Sequence, residues 1–491
     1  MRVLFVQENA ISELIGFTCL SAYLKERGHV CNLLLLTHTR DWLRDIRDYD
    51  PDLIGFSIFT GMQDSVYRII QQIKKNFNIP VIVGGPHPTF YPRECMEECP
   101  EIDMVCRGDG EETLLKLINA LQDKTDYRHI AGLWVREKNR IFENSISTMI
   151  KDVDSLPLPD RDLYFKFDFL RNFPMKRFIS GYGCPYNCSY CNQPFFEQEY
   201  KKEHPVTKDA FMRYKTVDRV IEEILYVKNN TMLKRVHFSD DLFCIKRDWL
   251  REFADKYPKA IGVPFSCNMR FDIIDKEFAD LLKKSMCCAV QSGIESGNDY
   301  LRNKVIRKQL SREKIIQGSR LLRERRIKIY TTNIVALPGE TLDNAIETIK
   351  LNQEINADHV RINTLIPFPK TKIVDYAIQH GYLPRDYGLK DLNTSDSLHI
   401  HCKTSFANEF KNISCLFRLF LKFKFLMRFF KPIVGVKNNA FFRAIGFLNL
   451  VQDARYFQID ILSGIRFYLN TIFRSKGDVM HWVPGMKGKD Q

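Results

Sequence analysis

The stretch GYGCPYNCSYC at residues 181–191 sets Cys184, Cys188 and Cys191 in CxxxCxxC spacing directly behind the apolar run RFISG (177–181). RFISG has the length and composition of a buried strand. Five runs of the same kind follow it: RVHFS (235–239), PFSCN (264–268), CAVQSG (288–293), IYTTNIVA (329–336) and HVRINTLI (359–366). Amphipathic stretches separate them, such as SREKIIQGSRLLRERR (311–326), in which Ile315, Ile316, Leu321 and Leu322 recur near helical spacing. Six strand–helix units predict an incomplete barrel, and barrels build their sites at the carboxyl ends of their strands. The cysteine loop falls at such an end. N-terminal to it, VLFV (3–6), NLLLL (32–36), LIGFS (53–57), PVIVGG (80–85) and DMVCRG (103–108) alternate with helical stretches. This predicts a parallel sheet wrapped by helices, with a ligand site beyond the strand ends after Ser57, Val83 and Cys106. Residues 132–144 read as a hairpin, and VDSLPLPDRDL (153–163) as an extended connector.

Composition bounds the reading. Among 491 residues, 45% are hydrophobic and 27% charged, which excludes wholesale disorder and predicts two or three domains. The N-terminal MRVLFVQENA lacks the features of a secretory signal, so a cytoplasmic protein is expected, and no apolar run is long enough to span a bilayer. Fourteen cysteines then read as reduced thiols or metal ligands. Cys19, Cys31, Cys106, Cys267, Cys287 and Cys288 are expected in apolar cores. The net charge of +13 is spread along the chain without a stacking-and-basic motif, so no nucleic-acid partner is expected.

Thiolates are the usual ligands of iron–sulfur clusters, and a four-iron cluster ordinarily takes four. Three close cysteines leave one iron open for a substrate or cofactor. A zinc site would want a fourth ligand, and no histidine lies nearby.

The CxxxCxxC loop after the first barrel strand, with Tyr190 before the third cysteine, resembles the radical SAM superfamily. The resemblance implies that Cys184, Cys188 and Cys191 hold a 4Fe-4S cluster whose open iron chelates S-adenosylmethionine (SAM), with Tyr190 beside the adenine. It implies further that Asp240 and Asp241 in FSDDLF (238–243) hold the SAM amino group. In the same way Arg270 in CNMRFD (267–272) meets the SAM carboxylate or a substrate anion, and Glu295 in QSGIESG (291–297) meets the ribose. ALPGET (336–341), with Pro338, Gly339 and Glu340, matches the opening of the helix after the fifth strand. By residue type alone, Asp240 and Asp241 could equally cap a helix, Arg270 form a surface ion pair, and Gly339 turn the chain.

The front region resembles the cobalamin-binding domain that precedes many such barrels. The matching residues are Ser57 and Thr60 in PDLIGFSIFTG (51–61), Gly84 and Gly85 in VIVGGPHPTFYP (81–92), and Gly108, Gly110 and Glu111 in CRGDGEET (106–113). Adjacent glycines let a backbone approach a bulky ligand. The chain departs from the pattern at QENAISELIG (7–16), which lacks the cobalt-ligating Asp-x-His-x-x-Gly loop, so His87 is not expected to ligate cobalt. It departs again at PFPKT (367–371), where Lys370 stands at a glycine position.

The resemblance covers residues 1–385. It implies an α/β chain: a flavodoxin-like (Rossmann-type) cobalamin-binding domain at 1–140, a linker at 141–175, and a partial (β/α)6 TIM-type radical SAM barrel at 176–385. A mainly helical C-terminal module is expected at 386–491. The implied activity is methyl transfer to an unactivated carbon or phosphorus of a small-molecule or lipid substrate, with electrons from a flavodoxin- or ferredoxin-type reductant. The alternative is the same cofactors used for rearrangement, cyclisation or oxidation; a non-catalytic cobalamin sensor stands further off. Cys95, Cys99 and Cys106 are expected to be structural rather than a second cluster. In CLFRLFLKFKFLMRFFKP (415–432), phenylalanines alternate with cations. A helix packed on the barrel is expected there, with peripheral membrane contact as the other reading.

Overall fold

A computed structural model of the protein describes residues 1–9, 13–138, 140–392, 399–438, 441–442 and 444–445, which fall into two compact units.

The first unit takes residues 1–172 together with 196–213. Its sheet runs in the order Val30–Leu35, Arg2–Gln7, Leu53–Ser57, Val81–Gly84, Met104–Cys106, Leu133–Glu137, Arg140–Phe142. The first five strands are parallel, and the last two form the expected hairpin on the edge. Runs such as Leu53, Ile54 and Phe56 are buried throughout because helices cover both faces of a parallel sheet. Helix Gln63–Asn76 supplies such a cover: Val66, Tyr67, Ile70 and Ile73 make one buried stripe.

Residues 141–172, expected as a linker, belong to this unit. Arg161 is buried and pairs with Glu13 at 2.9 Å. Tyr164 donates to Gln7 Oε1 at 2.6 Å, and Asp160 pairs with Lys25 at 2.7 Å. The connector expected to be extended over 153–163 is irregular only between the 3-10 turn Val153–Ser155 and the helix Asp162–Phe165, and three side-chain anchors tie the segment down. Residues 196–213, expected in the barrel, also pack here, with Tyr200 fully buried.

The second unit is built on six parallel strands in chain order: Met175–Phe178, Arg235–Phe238, Phe265–Asn268, Cys287–Glu295, Lys328–Val335 and His359–Thr364. All six were legible as apolar runs. Helices line one face. Phe238 meets Phe243, Phe253 and Phe265, while Thr331 and Asn333 bond Asn352 of helix Leu342–Glu354. Lys370 stands at φ +67°, so the PFPKT turn keeps a glycine-type backbone at a cost of about 1 kcal/mol.

No separate C-terminal unit exists among the described residues. Helix Ala407–Lys422 shares a core with the barrel, burying Phe410, Phe417 and Phe420 against Val335, Ile349 and Val360. Phe430 joins that core, whereas Phe423, Phe425 and Phe429 are exposed. Among the described residues no helix is long and apolar enough to cross a membrane. The rest of the expected C-terminal module, from 446 onward, lies outside the described residues.

Candidate functional site

The cysteine loop leaves the first barrel strand at its carboxyl end, and backbone bonds tie it down. Ser189 donates from N to Ile306 O at 2.9 Å and from Oγ to Val305 O at 2.8 Å, while its own carbonyl accepts from Ile373 N at 3.0 Å. Cys191 N donates to Cys188 O at 3.2 Å. Burial pushes the Cys191 thiol up to about 12, and the nearby Cys188, Asp241 and Cys184 add to the shift. Burial likewise raises Cys184, next to Asp241 and Cys188. The three thiols therefore share one neighbourhood. Among the described residues no three His, Cys, Asp or Glu side chains converge as on a single ion; thiolates that each ligate a different iron of a cube stand wider apart than that. Thiols kept neutral by burial ionise when a cation binds them. The donor set fits a cluster with one iron lacking a protein ligand.

The two aspartates after the second strand diverge. Asp240 is buried, and its Oδ1 accepts from Ser180 N at 2.9 Å, Ser180 Oγ at 2.7 Å and Gly181 N at 2.6 Å. It anchors the root of the cysteine loop, whereas Asp241, bonded to Gln193, faces the thiols. Burial raises Asp240 to about 7 against those donors. Three polar atoms at the strand ends, Ser239 Oγ, Asp240 Oδ2 and Asn268 Oδ1, are buried without a hydrogen-bond partner. Buried polar atoms are normally satisfied, so a wall of this kind suits a polar ligand such as SAM.

Glu295 ends the fourth strand at φ +65°, where the pairing register shifts. Its Oε1 accepts from Tyr190 Oη at 2.8 Å and from Lys308 Nζ at 2.9 Å, and both Glu295 and Lys308 are buried. Gly293 makes this possible, because a Cβ there would strike the Glu295 carboxylate. Sequence reading missed Lys308, one of three cations in KVIRKQL (304–310) that nothing in the local sequence distinguishes. Arg270 forms a bidentate pair with Asp272 at 3.0 and 2.9 Å, donates to Lys308 O at 2.8 Å and stacks on Tyr186 at 3.5 Å. Asp272 thus already occupies the guanidinium edge that the resemblance reserved for a carboxylate.

Glu340, in the loop after the fifth strand, accepts from Leu337 N at 3.0 Å, and complete burial pushes its carboxyl up to about 8 from an ordinary 4.5. The folded state holds this proton to higher pH than the unfolded chain. Its contribution to stability is full below pH 4.5 and is lost as pH rises through about 8, at no more than ~1.4 kcal/mol per pH unit. The melting temperature of the protein is expected to fall across that window and to fall less for Glu340→Gln; identical profiles would sink the assignment.

In the first unit, the loops at the carboxyl ends of three adjacent parallel strands are stitched together. His87 N donates to Ile58 O at 3.0 Å, and Gly108 N donates to Thr89 Oγ1 at 3.2 Å. Gly85, at φ +97°, is required because a Cβ would lie 2.8 Å from Ser57 Oγ. Gly108, at φ +83°, has Tyr200 Oη and Ser147 Oγ in the way. These two glycines therefore serve the protein's own packing, which differs from the expectation that they clear a path for a ligand. At Gly84 a Cβ would make only ordinary contact, 3.7 Å from Cys106 Cβ. Ser57 is half-buried at the mouth of the loops. Burial raises Glu111, in the first turn of helix Glu111–Asp123, to about 7. His87 is fully buried between Thr60 at 3.2 Å and Tyr67 at 3.4 Å. Cys95, Cys99 and Cys106 are buried, with thiols pushed up to about 12. The hydroxyl of Ser57 and the carboxyl of Glu111, on loops at neighbouring strand ends, are groups that suit a large polar cofactor.

Comparison with known proteins matches both units. Residues 3–118 match the B12 binding domain family and residues 178–351 the Radical SAM superfamily. The chain is 27% identical over 349 residues to an uncharacterized methyltransferase of Pyrococcus horikoshii, covering 70% of this chain and 73% of that one. It is 26% identical over 395 residues to the anaerobic magnesium-protoporphyrin IX monomethyl ester cyclase of Rubrivivax gelatinosus, covering 75% and 68%. Among solved structures, the radical S-adenosylmethionine methyltransferase TsrM from Kitasatospora setae superposes with a TM-score of 0.64 at 20% identity, covering 79% of this chain and 77% of that one, a likeness of fold. A parallel half-barrel with a CxxxCxxC loop at its first strand end, preceded by a domain of the B12-binding family, makes this chain a member of the cobalamin-binding radical SAM enzymes.

Proposed function

We propose that the protein transfers a methyl group to an unactivated carbon or phosphorus of a small-molecule substrate. The observation that carries this reading is the pairing, in one chain, of the CxxxCxxC loop beside Tyr190 and Glu295 with a B12-binding domain, in a chain whose relatives include a methyltransferase. Cys184, Cys188 and Cys191 would hold the cluster, leaving one iron without a protein ligand and available to SAM. Glu295, paired with Lys308 at 2.9 Å, accepts the ribose hydroxyls. Tyr190 flanks the adenine while donating to Glu295. Asp241 would accept a hydrogen bond from the SAM amino group. Asp240 and Arg270 act as positioning residues, the first on the loop root at Ser180 and Gly181, the second on Tyr186 and Asp272. Ser57, Thr60, Gly84 and Glu111 line the cobalamin site, and Gly85 and Gly108 shape its loops. When bound, the cluster with SAM supplies hydrogen-atom abstraction and cobalamin supplies the methyl group; a flavodoxin- or ferredoxin-class reductant supplies electrons.

Similar identity to the magnesium-protoporphyrin ester cyclase supports a second reading, the same cofactors used without methylation. The two separate in an anaerobic assay of reduced, reconstituted protein. Methyl transfer is expected to yield S-adenosylhomocysteine only when cobalamin is added, together with 5'-deoxyadenosine. Deoxyadenosine with no cobalamin-dependent S-adenosylhomocysteine, in the presence of a substrate that is consumed, overturns methylation in favour of the second reading.

A further inference from the structure

Residues 107–111, which follow strand Met104–Cys106, carry Gly108 and Glu111 of the proposed cobalamin site, and side chains far along the chain grip them. Asp109 is the centre of this grip. Its Oδ2 accepts from Arg213 Nη1 at 2.6 Å and from Ile150 N at 3.0 Å. Its N donates to Tyr200 Oη at 3.2 Å, and its carbonyl accepts from Ser147 Oγ at 2.9 Å. Arg213 Nη1 also donates to Ile150 O at 2.7 Å, so one guanidinium clamps Ile150 and Asp109 together. Next to Asp109 in the loop, Arg107 pairs with Glu203 at 3.4 Å, and the other oxygen of Glu203 accepts from Ile146 N.

The grip is enclosed. Tyr200 and Arg107 are buried, and the side chains of Arg213 and Asp109 are 10% and 20% exposed. A charge pair withdrawn from water leaves an uncompensated charge when one partner is removed. Arg213 also reaches the site electrostatically: burial and the Asp109 charge raise the Glu111 carboxyl, and the Arg213 charge opposes them. Sheets of this kind ordinarily build their ligand loops from residues directly behind the strands. Here the loop is completed by a residue 104 positions downstream, in the segment 196–213 that packs with the first unit. A loop already held in its binding form does not lose freedom when the ligand arrives, and affinity gains by that amount.

We infer that Arg213 is a positioning residue for the cobalamin site, fixing through Asp109 the loop that carries Gly108 and Glu111. This rests on the loop being part of that site, and it adds to the site a residue that acts only through another.

The test is titration of the full-length protein with hydroxocobalamin, read from the visible absorbance of the bound cofactor. The parent protein is expected to bind. Affinity should fall about tenfold in Arg213→Gln, the low end of what losing an outer-shell partner costs a metal ligand. Asp109→Asn, which keeps the shape and removes the charge, should fall by a similar factor. The double variant should fall no further than either single one, because both act through one pair. Arg213→Lys should recover part of the loss, and iron content should match the parent in every variant. Lys25→Gln breaks another ion pair of the same unit, with Asp160, and should leave cobalamin affinity unchanged. Unchanged affinity in both Arg213→Gln and Asp109→Asn overturns the inference and leaves the cobalamin site standing. An equal loss in Lys25→Gln also overturns it, since the variants would then report a loosened unit rather than a displaced loop. A parent protein that binds no cobalamin defeats the site itself, and the positioning role with it.

Discussion

Lys308→Met is expected to destabilise the barrel by about 3–5 kcal/mol, because it leaves the Glu295 carboxylate buried with no cation. Lys308 and Glu295 are each only 6% exposed at the side chain and lie 2.9 Å apart. The remaining partner is the Tyr190 hydroxyl, a neutral donor that offsets only part of the charge. Removing both members, Lys308→Met with Glu295→Gln, should recover most of the loss, since a neutral amide can keep the Tyr190 bond. Thermal denaturation of the parent, the single variants and the double variant measures the coupling directly. SAM affinity should fall in Lys308→Met through displacement of Glu295, and should stay low in the double variant although stability returns. A Lys308→Met protein that melts with the parent would remove the pair from the account of the site.

Cys188→Ala should reduce 5'-deoxyadenosine formation to background. A four-iron cluster on three cysteines has no spare protein ligand, so losing one should empty the site, and iron content should fall from about four per chain toward zero. Cobalamin content should be unaffected, because the loops at Ser57, Gly84 and Gly108 belong to the other unit. Cys106→Ala is the matched control: that thiol is buried in the first unit and pushed up to about 12, and its loss should leave iron unchanged. Undiminished SAM cleavage by Cys188→Ala would mean that the loop is not the cluster site.

Much of the architecture was legible in single residues. Six runs of strand length between amphipathic helices predict a parallel half-barrel, because strands that alternate with helices pair in parallel. Lys370 shows the limit of motif matching: a lysine in a left-handed turn carries out what a glycine was expected to do. The segment 141–172 shows another limit. Proline and aspartate announce an extended backbone, but whether Arg161 and Tyr164 find Glu13 and Gln7 depends on residues about 150 positions away.

Local chemistry is short-range, and so the cysteine triad, the strand series and the glycine loops were determined by the sequence alone. Charge pairing and facing are not. Lys308 reaches Glu295, Asp272 claims Arg270, and Asp240 turns to the loop root while Asp241 turns to the thiols. Each depends on strand register and on which face a side chain takes, and a shift of one residue reverses that face; only the tertiary structure decides it.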